Sequence, residues 1–259
     1  MTPIHWIFYV VVGAIAGAVN AVAGGGSLIL FPVLLSQGLA AITANATMIL
    51  VVQPGTISSA YGYRKHLRKL PIGYYLLLAP CLAGGFVGAT ILVKTSNVDF
   101  EHIVPYFMAF ALLLLLFQSQ VHHWIYTNRR VALKKRHHAT LLLIVAAAFF
   151  TISLYGGYFG AGFGIIALAF LGLTKLTDIQ QMNGLKNLAG VCIGISGGGY
   201  FIEHGLIDWR ILPLFAAGNL FGGYFGATYS SKLHTRTLRI GIVIIGTIIT
   251  AALFYKFNG

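Results

Sequence analysis

Apolar residues along this chain fall in long runs broken by glycine, proline, asparagine or charge, not in the alternation that half-buried strands would show. Runs near 4–23, 43–63, 72–93 and 102–124, then 140–158, 179–202, 210–230 and 237–256, are separated by short connections. A helix of roughly 20 apolar residues crosses the hydrocarbon core of a bilayer, so these runs predict membrane-spanning helices. Two further runs, 27–38 and 164–174, are too short for a comfortable span, and each opens in a glycine cluster. They predict half-helices or a re-entrant hairpin. The expected fold is an all-α integral membrane protein of ten segments, with no room for a soluble catalytic domain.

Composition agrees: mean hydropathy is +0.83, and only 8% of the residues are charged. A water-soluble fold could not hide that much apolar surface. No Lys or Arg precedes the first apolar run, so a cleaved leader is not expected and Met1 is expected to begin the mature chain. Cys81 and Cys192 lie in apolar segments without paired spacing and read as packing residues, not as a disulfide or zinc framework.

The formal net charge of +12 is concentrated. Arg64, Lys65, Arg68 and Lys69 form one cluster, Arg129, Arg130, Lys134, Lys135 and Arg136 a second, and Lys232, Arg236 and Arg239 a third. Cytoplasmic loops collect such residues, so the connections near 64–69, 129–136 and 232–239 are assigned inside a cell membrane, against anionic lipid headgroups. The loops around Asp99 and Glu101 and around Glu203 and Asp208 are assigned outside. Nucleic acid is not an expected partner, because the longest hydrophilic connection, 125–139, is too short to fold into a basic face. His122, His123, His137 and His138 are adjacent pairs without Cys or acidic companions, which is not a metal-ligand pattern; no metal and no cofactor is expected. Trp6, Trp124 and Trp209 read as interfacial anchors.

Sliding the sequence against itself by 138 residues aligns Gly84-Gly85-Phe86-Val87-Gly88-Ala89-Thr90 with Gly222-Gly223-Tyr224-Phe225-Gly226-Ala227-Thr228. The same shift pairs Gly24 with Gly162, Gly26 with Gly164, Asn45 with Asn183, and His66 with His204. A constant offset over separated elements points to a duplication. The chain therefore divides into a first repeat over 1–124, a basic connection over 125–139 and a second repeat over 140–259. The connection near His66 is basic and that near His204 acidic, so the repeats are expected to be inverted, a recurring plan in secondary transporters.

At these motifs the sequence resembles the sulfite exporter TauE/SafE family, also called the 4-toluene sulfonate uptake permease family. The resemblance rests on Ala23-Gly24-Gly25-Gly26-Ser27 followed by Phe31-Pro32, on Asn45-Ala46-Thr47, and on Gln53-Pro54-Gly55 followed by Tyr63-Arg64. Gly184-Leu185-Lys186-Asn187 and the late Gly222-Gly223-Tyr224 complete it. The second glycine cluster, Gly160-Ala161-Gly162-Phe163-Gly164, departs from an unbroken triplet. The resemblance implies movement of sulfur-containing anions such as sulfite and organosulfonates across the cell membrane.

Glycines that interrupt a helix free backbone N–H groups, and the positive end of the helix starting there attracts an anion. Gly24, Gly25, Gly26 and Ser27, with Gly162 and Gly164 in the second half, are candidate binding residues; close helix crossing is the alternative reading. Asn20, Asn45, Thr47, Gln53, Asn183 and Asn187 are polar in apolar surroundings and need a partner from another helix, water or a substrate oxygen. Lys186, two turns into an apolar helix, is positioned to offset an anion's charge, or else snorkels to the interface. The leading functional expectation is a secondary transporter of small anions by alternating access. An anion channel and a membrane scaffold are the alternatives, and no nucleophile–base pair or metal set supports an enzyme. The oligomeric state is left open, a homo-oligomer included.

Overall fold

The computed structural model describes the backbone of residues 3–132, 138–174, 176–230 and 235–258, and no strand occurs among them. In the first half, α1 (Pro3–Val22) is followed by the short α2 (Ser27–Ser36), then α3 (Ala41–Val51), α4 (Gln53–Gly62) and the single turn α5 (Arg64–Leu67). A 3₁₀ turn over Ile72–Leu77 leads into α6 (Leu78–Lys94), and α7 (Asn97–Ala132) closes the half. In the second half come α8 (His138–Tyr158), the short α9 (Phe163–Gly172) and α10 (Ile179–Ile193). A π turn over Gly194–Gly198 then leads to α11 (Gly199–Glu203), α12 (Leu212–Thr228) and α13 (Thr235–Asn258).

Three stretches among the described residues, Pro3–Val22, Ile72–Lys94 and Asn97–Phe117, are long and apolar enough to cross a bilayer. Their outward faces carry Ile7, Leu76, Phe86, Leu113 and Phe117, all exposed, whereas Asn45, Thr47, Lys186, Asn187 and Asn219 are buried. Such an inversion of the soluble-protein rule is what a lipid solvent demands. Trp6 and Trp209 are more than half exposed, as interfacial anchors would be.

Most segments begin and end where the apolar pattern placed them, and the departures have local causes. The run expected over 43–63 is divided at Val52 into α3 and α4, because Pro54 has no N–H for the helical ladder and its ring crowds the preceding turn. The run over 179–202 holds a π turn at Gly194, against which the Gln53 side chain lies in the space a side chain would otherwise fill. α7 continues past 124 to Ala132. The side chains of the 129–136 and 232–239 clusters, of the four paired histidines and of Trp124 lie outside the described residues.

Glycine stripes set the packing. α1 lies on α12, with Gly13 and Gly17 against the carbonyls of Phe215 and Asn219, and Gly218 and Gly222 against those of Val10 and Ala14. α6 lies on α8 in the same manner, with Gly84 and Gly88 against the carbonyls of Phe150 and Leu154. A methyl group at any of these positions would meet backbone, which cannot yield. Small residues four apart thus bring helices together where lipid offers no hydrophobic drive. Each half thereby packs its first helix on a late helix of the other, and the short helices are enclosed between them.

Candidate functional site

Three interruptions of the helical chain converge. α1 breaks before α2 at Gly24, with φ of +80°, and α8 breaks before α9 at Gly162, with φ of +82°. Only glycine takes that left-handed conformation without strain. The two breaks touch: Gly24 rests on the backbone of Gly164, and the Gly162 N–H donates to Ser27 Oγ at 3.4 Å. The α3–α4 junction and the last turns of α10 face the same point.

Between them lies a cavity of about 50 Å³, room for a few waters or a compact oxyanion and too little for a drug-sized ligand. Its polar walls are Asn20, Ser27, Gln53, Thr56, Lys186 and Asn187. Lys186 is 2% exposed, so it does not snorkel. Its Nζ donates to Asn20 O at 2.7 Å, Ala21 O at 3.1 Å and Asn183 Oδ1 at 3.2 Å. The two carbonyls end α1, where the helix dipole is negative, so a cation is stabilised there without a carboxylate. All three ammonium donors are thereby engaged with uncharged acceptors, and when protonated the group presents a net positive charge at the cavity wall.

Asn187 differs. It is 1% exposed, lines the cavity, and neither its Oδ1 nor its Nδ2 has a partner among the described residues. An unmet buried amide costs about 1–3 kcal/mol per group, which a bound oxyanion would recover at Nδ2. Gln53 spans the first half to the second, its Nε2 donating to Ile49 O at 3.1 Å and Gly190 O at 3.4 Å.

The remaining candidates lie around this centre in supporting positions. Gly24 and Gly26 are closed against backbone, and Gly25 has ordinary space beside Leu115. The N–H groups expected to be free at the glycine breaks are partly used: Leu28 and Ile29 donate to the Gly25 and Gly26 carbonyls, and Phe163 and Ile165 to those of Gly160 and Gly162. Asn45 Nδ2 donates to Tyr158 O at 2.9 Å. Thr47 Oγ1 accepts from the Asp208 N–H at 3.0 Å, tying down the loop before α12. Asn183 serves Lys186. Gly164 lines the cavity, whereas Gly162 holds the turn.

Gly160 and Phe163, members of the second glycine cluster, line the cavity, as do Met48, Thr56, Gly156 and Gly190, which were not singled out by the sequence. A signal existed for one of them: the 138-residue shift that pairs Asn45 with Asn183 also pairs Met48 with Lys186.

A helical bundle with apolar outer faces and a small polar cavity at its centre defines the class as an integral membrane protein. The chain belongs to the sulfite exporter TauE/SafE family, whose sequence pattern matches residues 9–253. It is 27% identical over 252 residues to a Haemophilus influenzae protein named "Probable membrane transporter protein", covering 94% of this chain and 92% of that one. It is 24% identical over 256 residues to the Escherichia coli K12 protein "Probable membrane transporter protein YfcA", covering 96% and 89%. A Sinorhizobium protein, "Probable membrane transporter protein ORF9", is 24% identical over 262 residues, covering 93% and 89%. No solved structure matches the chain. The family is one of membrane transporters, not of enzymes.

Proposed function

We infer that this chain is a secondary carrier for small sulfur-containing oxyanions, sulfite and compact organosulfonates among them, working by alternating access between two inverted halves in the cell membrane. The observation that carries the reading is the Asn187 amide, buried and without a partner among the described residues, in a cavity that also presents the Lys186 ammonium. A donor amide beside a held cation is a minimal oxyanion seat. The cavity volume favours a compact anion over an aryl sulfonate. Among the described residues no carboxylate lines the cavity, so the anion moves down its own gradient or carries a bound proton with it.

A two-fold relation between the halves, which the inverted plan requires, is supported by reciprocal contacts. The 138-residue shift carries α1 onto α8 and α6 onto α12, and the packing of α1 on α12 is matched by that of α8 on α6. Gly223 meets Gly55 as Gly85 meets Ile193, a pair of contacts related by the same shift. In this reading the basic connections face the cytoplasm, in contact with anionic headgroups.

The test is uptake by purified protein in liposomes, with sulfite, sulfate, thiosulfate, sulfoacetate, taurine and chloride offered in parallel. Saturable uptake and counterflow of one sulfur anion, lost in Lys186→Ala while the protein remains folded, is the expected result. Current without counterflow would make the protein a channel. Wild-type flux in Lys186→Ala would remove that residue from the site, and no flux of any anion would remove the anion reading.

A further inference from the structure

Beside the central cavity the described residues enclose a larger pocket of about 450 Å³ at the end of α4. Its walls include Tyr63, Arg64, Lys65 and His66 from the α4–α5 turn, Gln180 at the start of α10 and Ser230 beyond the end of α12. His66 is paired with Asp178, Nδ1 to Oδ2 at 3.1 Å. Arg64 and Lys65 have no carboxylate partner among the described residues. Arg64 is nonetheless held in place: it donates to Tyr61 O at 2.9 Å, and its guanidinium carbon lies 4.2 Å from the Tyr61 ring centre. Neither contact cancels its charge. Among the described residues no acidic side chain lines the pocket itself, with Asp178 standing behind His66, so Arg64 and Lys65 set a positive field at a concave surface, where low-dielectric walls concentrate it.

One shared carbonyl links this pocket to the central cavity. Tyr63 is 1% exposed and lines the larger pocket. Its hydroxyl donates to Ala21 O at 3.4 Å, and that same carbonyl accepts from Lys186 Nζ at 3.1 Å. Ala21, Val22, Tyr63 and Ala227 form a small apolar cluster separate from the main core. A buried aromatic ring whose hydroxyl bonds to Ala21 O and to Ser230, at the edge of the positive pocket and one carbonyl away from the cavity's Lys186, couples the two spaces.

We propose that the larger pocket is a second binding station for compact oxyanions, in series with the central cavity, and that Tyr63 is the movable wall between them. The proposal rests on the reading of the chain as an anion transporter, and its test therefore uses a readout that needs no transport. Thr228 is exposed at the pocket and serves as reporter. In full-length Thr228→Cys, reconstituted in phosphatidylcholine nanodiscs, thiol labelling is timed with an anionic sulfonatoethyl and a cationic trimethylammonioethyl methanethiosulfonate. The parent chain, with Cys81 buried and Cys192 half-buried, supplies the background.

The expected anionic-to-cationic rate ratio falls about fivefold or more on adding Arg64→Gln and Lys65→Gln. Sulfate or sulfoacetate is expected to slow labelling of the parent reporter and not of the neutralised one. An unchanged ratio overturns the station. Protection by phosphatidylglycerol but not by sulfate also overturns it, since the pocket would then seat a lipid phosphate. For the wall, a reporter at Thr56→Cys in the central cavity is labelled in vesicles from the basic face. Tyr63→Ala, or Tyr63→Leu should the first not fold, is expected to raise the rate about tenfold by removing the buried ring. No rise in whichever variant folds overturns the role of Tyr63. If labelling succeeds while no anion is taken up in liposomes, the pocket stands and the carrier reading fails.

Discussion

The two halves of the molecule shape their backbones alike and arm them differently. Gly24 and Gly162, related by the 138-residue shift, share a φ near +80° and end corresponding helices. Both halves also turn a residue of their third long segment toward the cavity at corresponding places, Met48 in the first and Lys186 in the second. Beside them stand Ile49 and Asn187. The first half thus offers thioether and alkyl groups where the second offers an ammonium and an open amide. Ser27, Gln53 and Thr56 add polar groups to the first half's wall, but no charge. Two corresponding glycine breaks frame the cavity, and one helix, α10, supplies the charge that would select the ligand.

The largest test of this contrast is to erase it. Lys186→Met gives the second half the first half's residue, and anion uptake in liposomes is expected to fall about a hundredfold or more, the scale of losing a desolvated charge contact. A fall of less than about threefold would show that α10 is not where the anion is held. Correct insertion is checked by size-exclusion profile and melting midpoint.

Next in size are the breaks themselves. Gly24→Ala places a methyl group in a left-handed conformation, costing about 1–2 kcal/mol, and against the Gly164 backbone, which cannot move aside. Gly162→Ala carries the same conformational cost but meets the Ala111 side chain. Thermal unfolding should rank Gly24→Ala as the more damaging, by at least about 1 kcal/mol. Equal losses would mean that the two breaks are packed equally tightly.

Asn187→Leu separates function from stability. Removing an unmet buried amide in favour of an apolar group of similar size is expected to raise the melting midpoint, as such replacements can, while uptake drops about tenfold, the worth of one hydrogen bond to a charged ligand. Lower stability together with unchanged uptake would show that Asn187 has a structural partner.

The smallest effect belongs to the rim. Partial burial raises the Asp178 carboxyl, but the bonds from His66 and from the Gln180 and Gln181 N–H groups outweigh it and hold the group below the usual aspartate range. A depressed pKa contributes stability that is complete above the unfolded value of about 3.9 and fades as the pH falls through the folded one. Asp178→Ala should therefore cost less than about 1 kcal/mol for so exposed a pair at pH 5, where the carboxylate is ionised. The gap from wild type should close only below about pH 4. A gap that instead opened as the pH fell from 4 to 2 would reverse the sign of the assignment.

The all-helical membrane fold, the two short helices at glycine clusters and the family were legible in the order of residues, because lipid imposes apolar length and glycine marks backbone that side chains cannot follow. Lys186 and Asn187 stood out for the same reason, as polar groups in apolar runs. Their roles did not. Sequence could not separate Thr47, which anchors a loop through Asp208, from Asn187, which has no partner among the described residues, since both are simply polar residues in a membrane helix. Nor could it show that Lys186 is held by the end of α1, 166 residues away in the chain. Which buried polar group is satisfied and which is left for a ligand depends on what the crossing helices bring within about 3 Å, the reach of a hydrogen bond. Only the packing of one half on the other decides that.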